Sequence, residues 1–213
     1  MNEFYFNTKL DQTILLGRTA RNIPELLEGI KEVPESSIYH HTHRFLHQHH
    51  FLSPEPPNDF SYWITEVLND AHLGEMLSSV DIIQFQSLED LRNRFIEILS
   101  EQPQQERTSL SAPQGQEFHF MCSRTFVLRT PHLAHDLDEF KEALKRVSVN
   151  SLYYHIFDAK LRLEKGENDF SRWFRYLGKT ELAEKVARLD PYTFTLEGLR
   201  SQIIRLVEQH GTN

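Results

Sequence analysis

Apolar residues along this chain recur at helical spacing in a series of stretches, and each stretch has a partner about 110 positions further on. Ile23, Leu26, Leu27, Ile30 and Val33 form one helical stripe, with Asn22 as cap, Pro24 in the first turn and Pro34 as terminator. Its partner is Leu137, Phe140, Leu144 and Val147, capped by Asp136. A second helix is predicted to start at Ser36 or Ser37, and its partner at Asn150 or Ser151. A third starts at Asn58 or Asp59 after Pro56-Pro57, and lines up Phe60, Trp63, Ile64 and Val67. Phe170, Trp173, Phe174 and Leu177 match it. Leu73 and Leu77, or Leu182 and Val186, mark a short fourth helix. The last carries Leu88, Leu91, Phe95, Ile98 and Leu99, or Leu196, Leu199, Ile203, Ile204 and Val207, with Ser87 and Thr195 as caps. Phe4–Phe6, Thr13–Leu16, Phe118–Phe120 and Phe126–Leu128 read as short strands.

The pairing of patterns is a repeat of sequence as well. Ser37-Ile38-Tyr39-His40-His41 returns as Ser151-Leu152-Tyr153-Tyr154-His155, and Asn58-Asp59-Phe60-Ser61-Tyr62-Trp63 as Asn168-Asp169-Phe170-Ser171-Arg172-Trp173. The blocks keep their order while the offset falls only from 114 (Phe4 to Phe118) to 108 (Leu88 to Leu196). A repeat of this length is domain-sized, far longer than a solenoid unit. The expected fold is mainly α: two tandem, internally duplicated helical modules at 1–99 and 117–213, with one small β-sheet built from the Phe-x-Phe segments. Residues 100–116, rich in Gln, Ser and Pro, read as a linker.

Composition is that of a globular chain, 39% apolar and 25% charged. No apolar run is long enough to span a membrane, and no secretory signal pattern is visible at the N-terminus. The single cysteine, Cys122, excludes an internal disulfide and a Cys-rich zinc site, which suits a cytoplasmic protein. The net charge of −8 is concentrated in the first copy: residues 1–100 hold 7 Lys+Arg against 15 Asp+Glu, whereas residues 117–213 hold 15 against 14. That imbalance disfavours a nucleic-acid partner, because phosphates repel an acidic surface.

Six histidines, His40, His41, His43, His47, His49 and His50, lie within eleven residues. On a helix, His40, His43, His47 and His50 fall opposite an arc of Ile38, Tyr39, Thr42, Phe45 and Leu46. His43 and His47 have the i,i+4 spacing that lets two imidazoles share a metal ion, with His40 one turn earlier; zinc, iron or manganese would suit such a set. The plainer expectation is a solvated or partner-facing stripe. His41 and His155 differ from these, since both copies keep them. They are expected either to line a pocket or to fix helix packing by hydrogen-bonding a backbone carbonyl. Asp59 and Asp169 are candidate carboxylate partners for them. Tyr39, His41, Asp59 and Trp63, with Tyr153, His155, Asp169 and Trp173, form the set of binding candidates. Arg92 and Arg200 recur on the last helix and are expected to pair with an acid such as Asp81/Asp190 or Glu75/Glu184. No phosphate loop, His-Glu-x-x-His, Cys-x-x-Cys or nucleophile elbow is present.

Leu16-Gly17-Arg18-Thr19-Ala20, Glu25-Leu26-Leu27-Glu28-Gly29, Ser36-Ser37-Ile38-Tyr39-His40-His41-Thr42-His43 and Pro57-Asn58-Asp59-Phe60-Ser61-Tyr62-Trp63 together resemble an uncharacterised bacterial domain-of-unknown-function family. The resemblance covers Phe4 to about Ile98; the second half is similar as a diverged copy. It implies a soluble bacterial protein of unknown activity, of a kind sometimes encoded near sugar-metabolising enzymes and so accessory to them, and supplies no catalytic residues. In outline only, a His-bearing helix beside an Asp/Trp-bearing one is also similar to metal-dependent four-helix enzymes of the DinB-like kind.

The leading functional expectation is a non-enzymatic helical binding or regulatory module, with no cofactor and a protein or small-molecule partner. An exposed aromatic face at Tyr154 and Phe157 would support it. Its rival is a metal-dependent hydrolase or transferase using the His-rich helix. A third reading is a pH-responsive binder, in which that stripe charges below about pH 6.5.

Overall fold

The computed structural model describes residues 3–45, 58–101, 110–163, 167–189 and 195–211. The chain divides into two compact units: unit 1 is Met1–Leu10 with Thr125–Asn213, and unit 2 is Asp11–Arg124. These are not the sequence copies. Strand β1 (Phe4–Ala20) gives its first part to unit 1 and its remainder to unit 2; β2 (Phe118–Ala134) does the reverse. The helices of each copy are therefore completed by the Phe-x-Phe segment of the other. Residues 102–109 of the expected linker lie outside the described residues, and Ala112, just beyond them, donates its N–H to the Arg21 carbonyl within unit 2.

The expectation of a mainly α fold is wrong. Two strands of 17 residues each make a two-stranded antiparallel sheet, and the chain is a mixed α and β protein. The strands are long because pairing continues through polar stretches with no core face to impose alternation, such as Asp11-Gln12-Thr13 in β1 and Arg124-Thr125 in β2. Gly17 and Pro131 look like breakers in the sequence. Gly17 takes a positive φ of 70° inside β1, and Pro131 is tolerated because each strand of a two-stranded sheet has one open edge. The two Phe-x-Phe segments do not pair with one another; Thr130 Oγ1, from the far end of β2, donates to the Phe6 carbonyl at 2.6 Å.

In unit 2, α1 (Ile23–Glu32) is capped by Asn22, whose side chain accepts from the Glu25 N–H. Helix α2 (Glu35–Tyr39) continues into a π-helical turn, His40–Arg44. Helices α3 (Asp59–Glu66), α4 (Ala71–Ser78) and α5 (Leu88–Glu101) complete the unit. In unit 1 the same plan recurs. Helix α6 (Leu137–Leu144) is capped by Asp136, and α7 (Val149–Tyr153) passes through a second π-helical turn, Tyr154–Asp158, into Ala159–Leu163. Helices α8 (Asp169–Tyr176), α9 (Thr180–Ala187) and α10 (Leu196–His210) follow.

Each core forms around the Phe-x-Phe segment. Phe6 and Phe120 are both wholly buried. In unit 1, Phe6 lies 5.2 Å from Phe140 and Phe4 lies 5.3 Å from Phe170, centroid to centroid. In unit 2, Phe118 lies 5.3 Å from Phe60 and 5.7 Å from Trp63. Such ring pairs add about 0.5–1.5 kcal/mol each beyond the area they bury. Gly29 on α1 makes room for this insertion: a Cβ there would stand 2.1 Å from the Phe120 ring.

Arg92 does not pair with Asp81 or Glu75, nor Arg200 with Glu184, and Asp190 lies outside the described residues. Arg92 Nη1 donates to the carbonyls of Ile30, Lys31 and Val33 at the C-terminal end of α1. Arg200 Nη1 donates to the carbonyls of Leu144 and Val147 at the end of α6. Each guanidinium also meets the acid three residues before it, Glu89 at 3.0 Å and Glu197 at 2.8 Å. The end of a helix leaves carbonyls without partners and carries partial negative charge, so a buried cation satisfies both needs. Arg200→Met is therefore expected to lower stability by about 2–4 kcal/mol, read from the urea midpoint, because it strands those carbonyls. Arg200→Lys should recover less than half of that, since an ammonium lacks the planar fork. A loss below about 0.5 kcal/mol for the Met variant would contradict this role.

Candidate functional site

The most repeated residues of the sequence meet at one residue of each strand. In unit 1, Ser151 Oγ donates to the Asn7 carbonyl at 2.6 Å, and the Asn7 N–H donates to His155 Nε2 at 2.8 Å. His155 Nδ1 lies 2.7 Å from Asp169 Oδ2. In unit 2, Ser37 Oγ donates to the Met121 carbonyl at 2.6 Å, and the Met121 N–H donates to His41 Nε2 at 3.0 Å. His41 Nδ1 lies 2.6 Å from Asp59 Oδ2. Ser and His are four residues apart, so one face of a helix turn grips both ends of a residue on the open edge of the strand. An Nε2 that accepts an N–H must carry no proton of its own. The ring is then the Nδ1–H tautomer, donating to the carboxylate.

Asn58 and Asn168 free the aspartates for this task. The Asn side chains cap α3 and α8, accepting from the Ser61 and Ser171 N–H groups at 2.9 Å and 2.7 Å. Asp59 and Asp169, one residue later, are thus directed at the histidines rather than at the helix end. The expected backbone carbonyl partner of His41 and His155 is instead a backbone N–H, because the helix faces a strand edge.

Next to this clamp, unit 1 holds an open pocket of about 350 Å³. Four of its lining residues, Phe4, His155, Asp169 and Trp173, have identical counterparts in the other copy: Phe118, His41, Asp59 and Trp63. The other four, Tyr5, Asn7, Arg172 and Tyr176, do not, their counterparts being His119, Met121, Tyr62 and Glu66. The Tyr5 ring is covered on one face by the Arg129 guanidinium at 3.4 Å. Its hydroxyl donates to Glu3, which holds that carboxyl below its usual range. Periodicity could not single these residues out, since they sit on polar positions of β1 and α8. The signal that marks them is divergence beside an otherwise repeated block.

The remaining binding candidates are core residues. Tyr39 stacks on His43 with centroids 5.6 Å apart, and Tyr153 packs 4.9 Å from Phe157. Trp63 Nε1 donates to the Gln116 carbonyl at 2.8 Å. Tyr154 and Phe157 are buried inside unit 1, so they offer no exposed aromatic face. Nearby, Lys9 and Asp158 form a buried ion pair at 2.7 Å, with Lys9 also over the Tyr153 ring.

The His-rich segment is not a solvated stripe where it is described. His40, His41 and His43 are all buried. The π-helical turn widens the helix here, with Thr42 Oγ1 donating back to the Ile38 carbonyl, and an ordinary helical wheel misplaces residues past such a turn. His40 Nδ1 lies 2.9 Å from Ser123 Oγ, and His43 Nδ1 lies 3.2 Å from Thr42 Oγ1. His47, the other half of the expected metal pair, lies outside the described residues. Among the described residues no three His, Cys, Asp or Glu side chains are grouped so as to hold a metal ion.

The chain belongs to the family of unknown function DUF5752, whose model matches residues 1–208. It is similar over 99% of its length to OrfY from Thermoproteus tenax, a solved structure of which 96% is covered, with a TM-score of 0.82 and 30% identity. No curated protein matches it. Among the described residues no helix is long and apolar enough to cross a membrane.

Burial above all holds His40 well below the ordinary imidazole range, at about 4, with the Arg44 cation acting in the same direction and Asp59 and Asp11 opposing. The folded protein therefore keeps this ring neutral through the range where the unfolded chain protonates it. Stability associated with His40 is complete above about pH 6.5 and lost progressively as pH falls to about 4, by about 3 kcal/mol in all. Hydrogen exchange of unit 2 amides should report that loss, and His40→Gln should flatten it. Equal acid sensitivity in the variant would contradict the assignment. A stripe that charges near pH 6.5 is not what His40 provides.

Proposed function

We propose that this protein is a non-enzymatic binding module that holds one small polar ligand, about the size of a sugar ring, in the pocket of unit 1, in a role accessory to sugar metabolism. The observation that carries this is the state of His155. Both its nitrogens are already engaged, by Asp169 and by the Asn7 N–H, so the one imidazole on the pocket wall is a fixed part of the scaffold rather than a group free to move protons. Around it, Trp173, Tyr5 and Tyr176 supply flat apolar faces suited to the C–H face of a ring, while Asn7, Asp169 and Arg172 supply polar groups on the same lining. The metal-dependent hydrolase or transferase gains no support from His40 and His43, whose rings turn to Ser123, Thr42 and Tyr39.

Titration with glucose and with maltose, followed by the indole N–H resonances of the two tryptophans, tests the reading. Saturable shifts are expected at Trp173 and not at Trp63, weakened at least tenfold by Tyr176→Ala. No shift at Trp173 with either sugar or with a sugar phosphate, or conversion of the sugar during the titration, would overturn it.

A further inference from the structure

The duplication provides an internal comparison of the two matched positions. The pocket residues that both copies keep are those of the clamp and core: the phenylalanine, histidine, aspartate and tryptophan. The four that differ border the space a ligand would occupy. Within those four, unit 1 carries one formal charge, the cation Arg172, and unit 2 carries one, the anion Glu66. Arg172 is exposed, and its guanidinium makes no ion pair among the described residues. Its neighbours differ: Arg175 is paired with Glu167, and Arg129 lies over Tyr5. Asp169, the acid on the same wall, is engaged by His155 Nδ1.

We infer that the ligand of the unit 1 pocket carries an oxyanion, a carboxylate or a phosphate monoester on a ring, and that Arg172 is the residue that selects it. This rests on the pocket reading above. A guanidinium offers a planar fork of donors matched to two oxygens of such a group, and it does so more strongly than a neutral donor. Asp169 Oδ2 is held by His155 Nδ1 on the same wall, which places that carboxylate beside the ring and sets the ligand's orientation. The counterpart position in unit 2 has Tyr62 in place of the guanidinium, and Glu66 there would repel an anion. One bound anion per chain is expected.

Matched pairs of probes separate charge from shape: glucose against glucose 6-phosphate, and benzyl alcohol against benzoate, each titrated into the full chain at low salt. The anionic member of at least one pair should bind at least tenfold more tightly than its neutral partner, with one site per chain, and the pair that shows this identifies the phosphate or carboxylate source. Arg172→Gln should abolish the preference, and Arg172→Lys should retain part of it. Equal affinity within both pairs, or a preference that survives Arg172→Gln, overturns the inference while the pocket reading stands. Failure of all four probes to perturb Trp173 overturns both.

Discussion

One residue in each strand, Asn7 or Met121, is held at its N–H and its C=O by a histidine and a serine from a single helix turn, and the rest of each unit is arranged around that grip. A strand edge that meets a helix presents N–H and C=O groups that the helix backbone cannot satisfy. Here Ser151 and His155, or Ser37 and His41, satisfy both. The π-helical turn that contains each histidine and the aspartate that orients its ring serve the same end. Once the strand is docked, the two phenylalanines that precede the gripped residue, Phe4 and Phe6 or Phe118 and Phe120, enter the core.

This division of labour explains how the copies diverged without losing the fold. The clamp, the Asn caps of α3 and α8, the two strand phenylalanines, the Phe and Trp of α3 and α8, and the arginine that closes the first helix of each unit are the same in both. Positions next to them were free to change. In one unit they border a pocket with Tyr5, Asn7, Arg172 and Tyr176; in the other the matched residues are His119, Met121, Tyr62 and Glu66. A buried pair also changed: Lys9 and Asp158 in unit 1 stand where unit 2 has Ser123 and Arg44, and His40 there turns to Ser123. A family with no activity attached to it leaves function to be argued from these differences rather than from the shared scaffold.

Much of the scaffold was legible in the sequence. The helices starting after Asn22, Asn58, Asp136 and Asn168 could be placed from caps and apolar spacing, and the clamp residues announced themselves as repeated blocks. The strands were not legible at their true length, because exposed polar stretches between apolar runs read as breaks unless the pairing partner is known. The exchange of Phe-x-Phe segments between copies leaves no local trace at all, since each segment would suit its own copy's helices equally well. The histidine stripe was misjudged for a geometric reason: a helical wheel assumes a uniform turn, and the π-helical turn at His40–Arg44 breaks that assumption. The pocket rim was visible only as absence of repetition.

The central claim is that His41 and His155 are neutral rings, protonated at Nδ1 toward aspartate and accepting a strand N–H at Nε2. Nitrogen-15 chemical shifts of the histidine rings at neutral pH read the tautomer directly. The account predicts the Nδ1–H form for both, with the Asn7 and Met121 amides showing coupling to the imidazole nitrogen across the hydrogen bond. An Nε2–H tautomer or an imidazolium at either position would contradict it, because neither leaves a lone pair to hold the strand.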